Sequence, residues 1–208
     1  MILNIIFIKS KKGFNKKQKQ KIKSIIRRTA NHAVKVLNLE STSIINFTIY
    51  PFGKKYVFGC TQAENWIQID VPPKRINEAE LKNAIYHEMH HIGRGYSFHS
   101  KKKFTLLNTL FSEGLAVVFE LEQIPRRIPI SSAFVKKWLP QLKEENLGGT
   151  DFSHDKWFWG KEGRPKRLGY KIGVYLVNQI KKHYPELTAA KLVKKNAKYL
   201  LKLSKVKL

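Results

Sequence analysis

The 208-residue sequence predicts an α+β fold, in which a small mixed sheet with one helix packed on it is followed by a mainly helical part. Three observations predict it. Short alternating and β-branched runs are confined to the residues before Pro72, apolar residues recur with helical spacing from Asn77 onward, and the breaker Pro72-Pro73 separates the two regimes.

Ile2 to Lys9 reads as a first strand, because its lysines follow the apolar run instead of preceding it as they would in a secretory signal. Asn15 to Leu37 reads as a long amphipathic helix with Asn15 as N-cap and Ile22, Ile25, Ile26, Ala30, Ala33, Val34 and Leu37 on one face. Residues 44–50, IINFTIY, alternate and stop at Pro51, and two shorter strands are expected at 56–60 and 66–71. Helices are expected near 77–92, 104–122, 131–145, 169–183 and 187–202, with a Gly- and Trp-rich connection at 147–168. No repeat or low-complexity linker interrupts the chain, so the expectation is one domain over 1–208, with a sheet-containing lobe at 1–76 and a helical lobe at 77–208.

Composition narrows the function classes. At 42% apolar and 12% aromatic residues the chain is globular, and no apolar run approaches the roughly 18 to 20 residues of a membrane-spanning helix. Cys60 is the only cysteine, which excludes an internal disulfide and fits a cytoplasmic setting; a small buried hydrophobe is the expected role. The net charge of +25, from 40 Lys+Arg against 15 Asp+Glu, predicts non-specific attraction to polyanions. The basic runs lack interleaved aromatics and no nucleic-acid-binding module is recognisable.

The stretch IYHEMHHIG, residues 85–93, places His87 and His91 four residues apart, on one face of a helix and about 6 Å apart along its axis, close enough to share a metal ion. With this composition an H-E-x-x-H match arises by chance about once in a hundred such chains. On a helical wheel the two histidines border the apolar arc of Leu81, Ala84, Ile85, Met89 and Ile92, while His90 falls on the polar side and is not counted as a ligand. Glu88 falls inside the apolar arc, where a carboxylate is costly unless a cation or a chemical task occupies it. A catalytic zinc takes three protein ligands and leaves a fourth position open. The third candidate is Glu113 in LFSEGLAVVFE, 22 residues after His91 and at the rim of an apolar helix face, where Glu120 also lies. The alternative for Glu113 is a partly solvated surface carboxylate.

HEMHH at 87–91, SEGLA at 112–116 and KWFWGKEGRPKRLGYKIG at 156–173 follow one another in that order. This series resembles the zinc-dependent metallopeptidases of the gluzincin group and, more narrowly, the DUF2268 family of predicted Zn-dependent proteases. In that family HExHH is followed by an EGLA-type segment and a W-x-x-G…P…G-Y-x-x-G run; the likeness covers about residues 60–180. The resemblance implies a zincin-like fold and a zinc metallopeptidase acting on peptide or protein substrates. It implies Zn2+ ligands His87, His91 and Glu113, and Glu88 as the general base. Tyr170 is the candidate for stabilising the oxyanion, with a structural tyrosine as the alternative, and His154 is a weaker candidate for the same role. A thermolysin-like pattern would have Asp four residues after the Glu ligand; Val117 stands there, which makes Glu120 one candidate for orienting the imidazoles. By analogy, Asn65 to Val71 is expected to be the edge strand that aligns substrate. Trp157, Phe158 and Trp159 line a pocket or pack in the core, and Arg94 with lysines 101–103 either favours acidic side chains in the substrate or forms a solvated loop.

The competing reading is a basic nucleic-acid-associated protein with a structural or degenerate zinc site. A structural site normally uses four protein ligands, often cysteines, and has no need of Glu88.

Overall fold

The computed structural model describes residues 2–11, 13–39, 44–52, 55–99, 104–126 and 130–208, which form two compact units, Met1–Lys101 and Lys102–Leu208. The architecture is α+β, with a four-stranded mixed sheet in the first unit and helices in the second.

The first unit begins with β1 (Ile2–Phe7), crosses through α1 (Lys16–Leu37) and returns as β2 (Ile44–Tyr50), which pairs parallel to β1 with Ile2 opposite Ile44. A β3 (Phe58–Ala63)–β4 (Trp66–Asp70) hairpin follows, and the sheet order is β1-β2-β4-β3. β4 runs parallel to β2 and antiparallel to β3. Asn15 caps α1 as expected: its side chain accepts from the Gln18 amide, and the Gln18 side chain accepts from the Asn15 amide in return. The expected apolar face of α1 is buried at Ile22, Ile25, Ile26, Ala30, Ala33 and Leu37, while Val34 is half-buried. Ile45, Phe47, Ile49, Ile67 and Ile69 supply the buried face of the sheet, each such side chain being worth about 1.5–3 kcal/mol when removed from water.

One expectation is overturned here. Residues 65–71 do not form the edge strand, because β4 is flanked on both sides; the outer strand beside it is β3. Strand order is a non-local property that alternation within a segment does not encode.

Helix α2 (Glu78–Arg94) closes this unit by packing against both α1 and β3. The Asn77 side chain accepts from the Glu80 amide at the start, with Glu78 and Glu80 in the first turn where the helix dipole favours negative charge. At the other end Gly95 takes the left-handed conformation, φ 70°, that ends helices and that side-chain-bearing residues resist. Helix α2 thus belongs to the first unit, held by its contacts to α1 and β3.

The second unit contains α3 (Leu106–Gln123), α4 (Ser132–Lys143), a short π-helical segment (Asp155–Trp159), α5 (Leu168–His183), α6 (Ala189–Leu192) and α7 (Ala197–Ser204). Its centre is the crossing of α3 and α5. A Cβ on Gly114 would lie 2.2 Å from the carbonyl carbon of Gly173, and one on Gly173 would lie 2.1 Å from the Leu110 oxygen, so the two backbones touch where neither residue has a side chain. The single helix expected at 187–202 is two helices: α6 stops at Leu192, and after a turn Asn196 caps a new helix by accepting from the Tyr199 amide.

Candidate metal and catalytic site

The site starts with the four-residue spacing on α2. His87 and His91 project from successive turns with ring centroids 4.6 Å apart at 83°; His91 is buried and His87 half-buried. After the left-handed Gly95 the chain folds back, the Tyr96 amide donates to the His91 carbonyl at 3.0 Å, and the Tyr96 ring lies 4.9 Å from the His91 ring. The sequence reading missed Tyr96; the Gly95 helix stop was the signal that the chain would return over the last turn.

Between the histidines, Glu88 is only 4% exposed. The apolar arc predicted its burial, but its neighbours come from β3. The Thr61 hydroxyl donates to Glu88 Oε2 at 2.8 Å and also lies 3.2 Å from the Glu88 carbonyl oxygen. A hydrogen bond to a charged group of this kind contributes about 1.5–3 kcal/mol. Gly59, two residues earlier, lets the strand approach closely: a Cβ there would lie 2.8 Å from Glu88 Cγ. Nothing in the sequence linked Gly59 or Thr61 to Glu88.

His90 corrects the wheel. It is fully buried, not on a polar side. It sits one turn beyond Tyr86, whose hydroxyl lies 3.1 Å from His32 Nδ1 on α1. A wheel drawn for one buried face fails because α2 is covered on two faces, by α1 and by β3.

On α3, Glu113 is 6% exposed, so the solvated-surface alternative does not hold. Its neighbour Gly114 makes the close crossing with Gly173, so the SEGLA and GYKIG motifs meet through their glycines and fix the helix that carries the carboxylate. Glu120, two turns along, forms an ion pair with Arg126 at 2.5 Å. His154 stacks on Phe158 with centroids 4.4 Å apart at 19°, and Phe158 meets Tyr170 edge-on at 5.4 Å. Burial pushes the His154 imidazole below its ordinary pKa against the opposing pull of the Glu113 and Asp155 carboxylates. Trp157 and Phe158 are fully buried and belong to the core, whereas Trp159 is about half exposed. Arg94, the last residue of α2, has its guanidinium lowered to about 10 by burial. The lysines at 101–103 lie outside the described residues.

His87, His91 and Glu113 form a group that can hold a metal ion: each offers one ligand atom, and these atoms all lie within 4.8 Å of one another. Ligand atoms around tetrahedral zinc, with bonds of about 2.0–2.2 Å, stand about 3.4 Å apart. Two imidazoles and one carboxylate therefore fit zinc both in donor chemistry and in reach.

The sequence profile of a family described as a predicted Zn-dependent protease (DUF2268) matches residues 22–202. The chain belongs to that family. The match spans both the two histidines of α2 and Glu113 of α3, and the family's zinc dependence agrees with the donor set found here. No curated protein and no solved structure matches the chain. Among the described residues no helix is long and apolar enough to cross a membrane.

Proposed function

We propose that the chain is a zinc metallopeptidase of the gluzincin type, a single zincin-like catalytic domain in which His87, His91 and Glu113 hold the metal. The observation that carries this reading is the group of three ligand atoms within 4.8 Å, with the buried Glu88 between the two histidines on α2. Zinc, when bound, supplies a Lewis acid that brings the pKa of water toward neutrality and polarises an amide carbonyl.

The remaining roles belong to the chain. Glu88 takes a proton from the attacking water and returns it to the leaving nitrogen, a task that needs a carboxylate held in place and screened from bulk water. Its 4% exposure and its hydrogen bond from Thr61 meet both conditions. Tyr170, in the first turn of α5, is the proposed donor to the developing oxyanion, its ring supported edge-on by Phe158. Peptide substrate is aligned along β3, an outer strand of the sheet.

The test separates base from ligand. Glu88→Gln is expected to retain zinc, measured by elemental analysis, while turnover of labelled casein falls about 100- to 10,000-fold. Glu113→Ala is expected to lose zinc and activity together. Full casein turnover in Glu88→Gln, or full zinc content in Glu113→Ala, contradicts the assignment.

A further inference from the structure

A glutamate side chain has three rotatable bonds, so a carboxylate that must meet a proton at a fixed place needs something rigid to hold it. Within the first unit that support comes from β3. Thr61 is β-branched and in a strand, so its χ1 is restricted. Its backbone is fixed on one side by pairing with Ile67 and on the other by the Phe98 amide, which donates to its carbonyl at 2.8 Å. The hydroxyl therefore sits at a defined point, 2.8 Å from Glu88 Oε2 and 3.2 Å from the main-chain oxygen of the same residue. Residues 59 and 61 lie on the same face of the strand. One offers a hydroxyl and the other no side chain at all, and a Cβ on Gly59 would fall 2.9 Å from Glu88 Oε1. Together they form a seat shaped for one carboxylate, with Oε2 tethered and Oε1 lodged against the glycine.

Building on the peptidase reading above, we propose that Thr61 is a positioning residue that holds the Glu88 carboxylate in its working orientation through the Oγ–Oε2 hydrogen bond. In this role Thr61 acts only through Glu88. A hydroxyl that merely satisfied itself would be served by the main-chain oxygen alone; the shorter bond goes to the side chain.

Thr61→Val keeps shape and removes the donor, whereas Thr61→Ser keeps the donor and removes a methyl group. The full chain is loaded with zinc, and kcat and KM on labelled casein are measured beside zinc content and the melting temperature. Crystal structures of both variants then locate the Glu88 carboxylate. The expected result for Thr61→Val is a tenfold or larger fall in kcat, KM within twofold, unchanged zinc content and a displaced carboxylate. In Thr61→Ser the carboxylate is expected in place and kcat within threefold of the parent.

The proposal is overturned if Thr61→Val turns over casein within twofold of the parent while Glu88→Gln does not. It is equally overturned if Thr61→Ser loses as much as Thr61→Val, or if the loss follows zinc content. Should the parent chain leave casein uncleaved, the peptidase reading fails, but the crystal structures still decide this point: a carboxylate unmoved in Thr61→Val overturns it and one displaced in Thr61→Val but not in Thr61→Ser upholds it.

Discussion

Gly59 sits where any side chain would press on Glu88. An alanine there would place its Cβ 2.8 Å from Glu88 Cγ, and since the obstacle is a side chain and not backbone, the glutamate moves while the strand stays. Gly59→Ala is therefore expected to cost little stability, about 1–2 kcal/mol by denaturant midpoint, but to lower kcat about tenfold or more, because small misplacements of a catalytic group are amplified in rate. Zinc content is expected to stay at the parent level. A variant with parent kcat would mean that Glu88 tolerates displacement. At this scale the sequence was only partly legible. The four-residue spacing of His87 and His91 was legible because helical geometry alone brings their rings together. Gly59 and Thr61 could not be read, since their relation to Glu88 depends on how a strand 27 residues from it in the chain, in the case of Thr61, packs on the helix. His90 was misjudged because one helix buries two faces.

Elements rather than residues explain the later motifs. Sequence patterns flagged SEGLA and GYKIG without saying why glycine recurs in both, and the α3–α5 crossing supplies the reason. At Gly114 and Gly173 the obstacles to a Cβ are main-chain atoms at 2.2 and 2.1 Å, which no rotamer change relieves. Gly173→Ala is expected to destabilise the protein by about 3 kcal/mol, read from the shift in urea midpoint, and Gly114→Ala by a similar amount. The double variant is expected to cost less than the sum, because helices forced apart by the first methyl leave room for the second. Strict additivity would show that the two glycines do not share one contact. Boundaries were legible where a cap was read in the chain: Asn15 marks the start of α1 in the sequence and in the structure alike, whereas the end of α2, expected near residue 92, lies at Arg94 before the left-handed Gly95. Asn196 was an equally good cap signal, but apolar periodicity ran through it and concealed the break between α6 and α7. Strand order was not legible, because β4 becomes interior only through its parallel pairing with β2.

For the molecule as a whole the governing quantity is charge. The charge of +25 is spread over exposed side chains: on α1, Arg28 pairs with Glu78, while Lys16, Lys17, Lys19, Lys21, Arg27 and Lys35 are exposed. In the second unit Lys198, Lys202, Lys205 and Lys207 surround a shallow concavity floored by Leu201 and Val206. Such cations sit on flexible stems facing water, so they attract phosphate or sulfate through long-range field and counterion release and carry no geometry that would read a base sequence. Binding to duplex DNA is accordingly expected to weaken tenfold or more between about 50 and 200 mM salt, with a slope in log affinity against log salt that reports the number of phosphates neutralised. Scrambled duplexes of equal length are expected to bind alike, and heparin to compete with both. Fluorescence anisotropy at several salt concentrations measures this directly. A dedicated nucleic-acid partner would behave differently: it would leave a sequence-dependent affinity that persists above about 0.3 M salt, where the Debye length has shrunk to a few ångströms and only close, directed contacts survive. The absence of such a residue of binding would assign the charge to non-specific attraction.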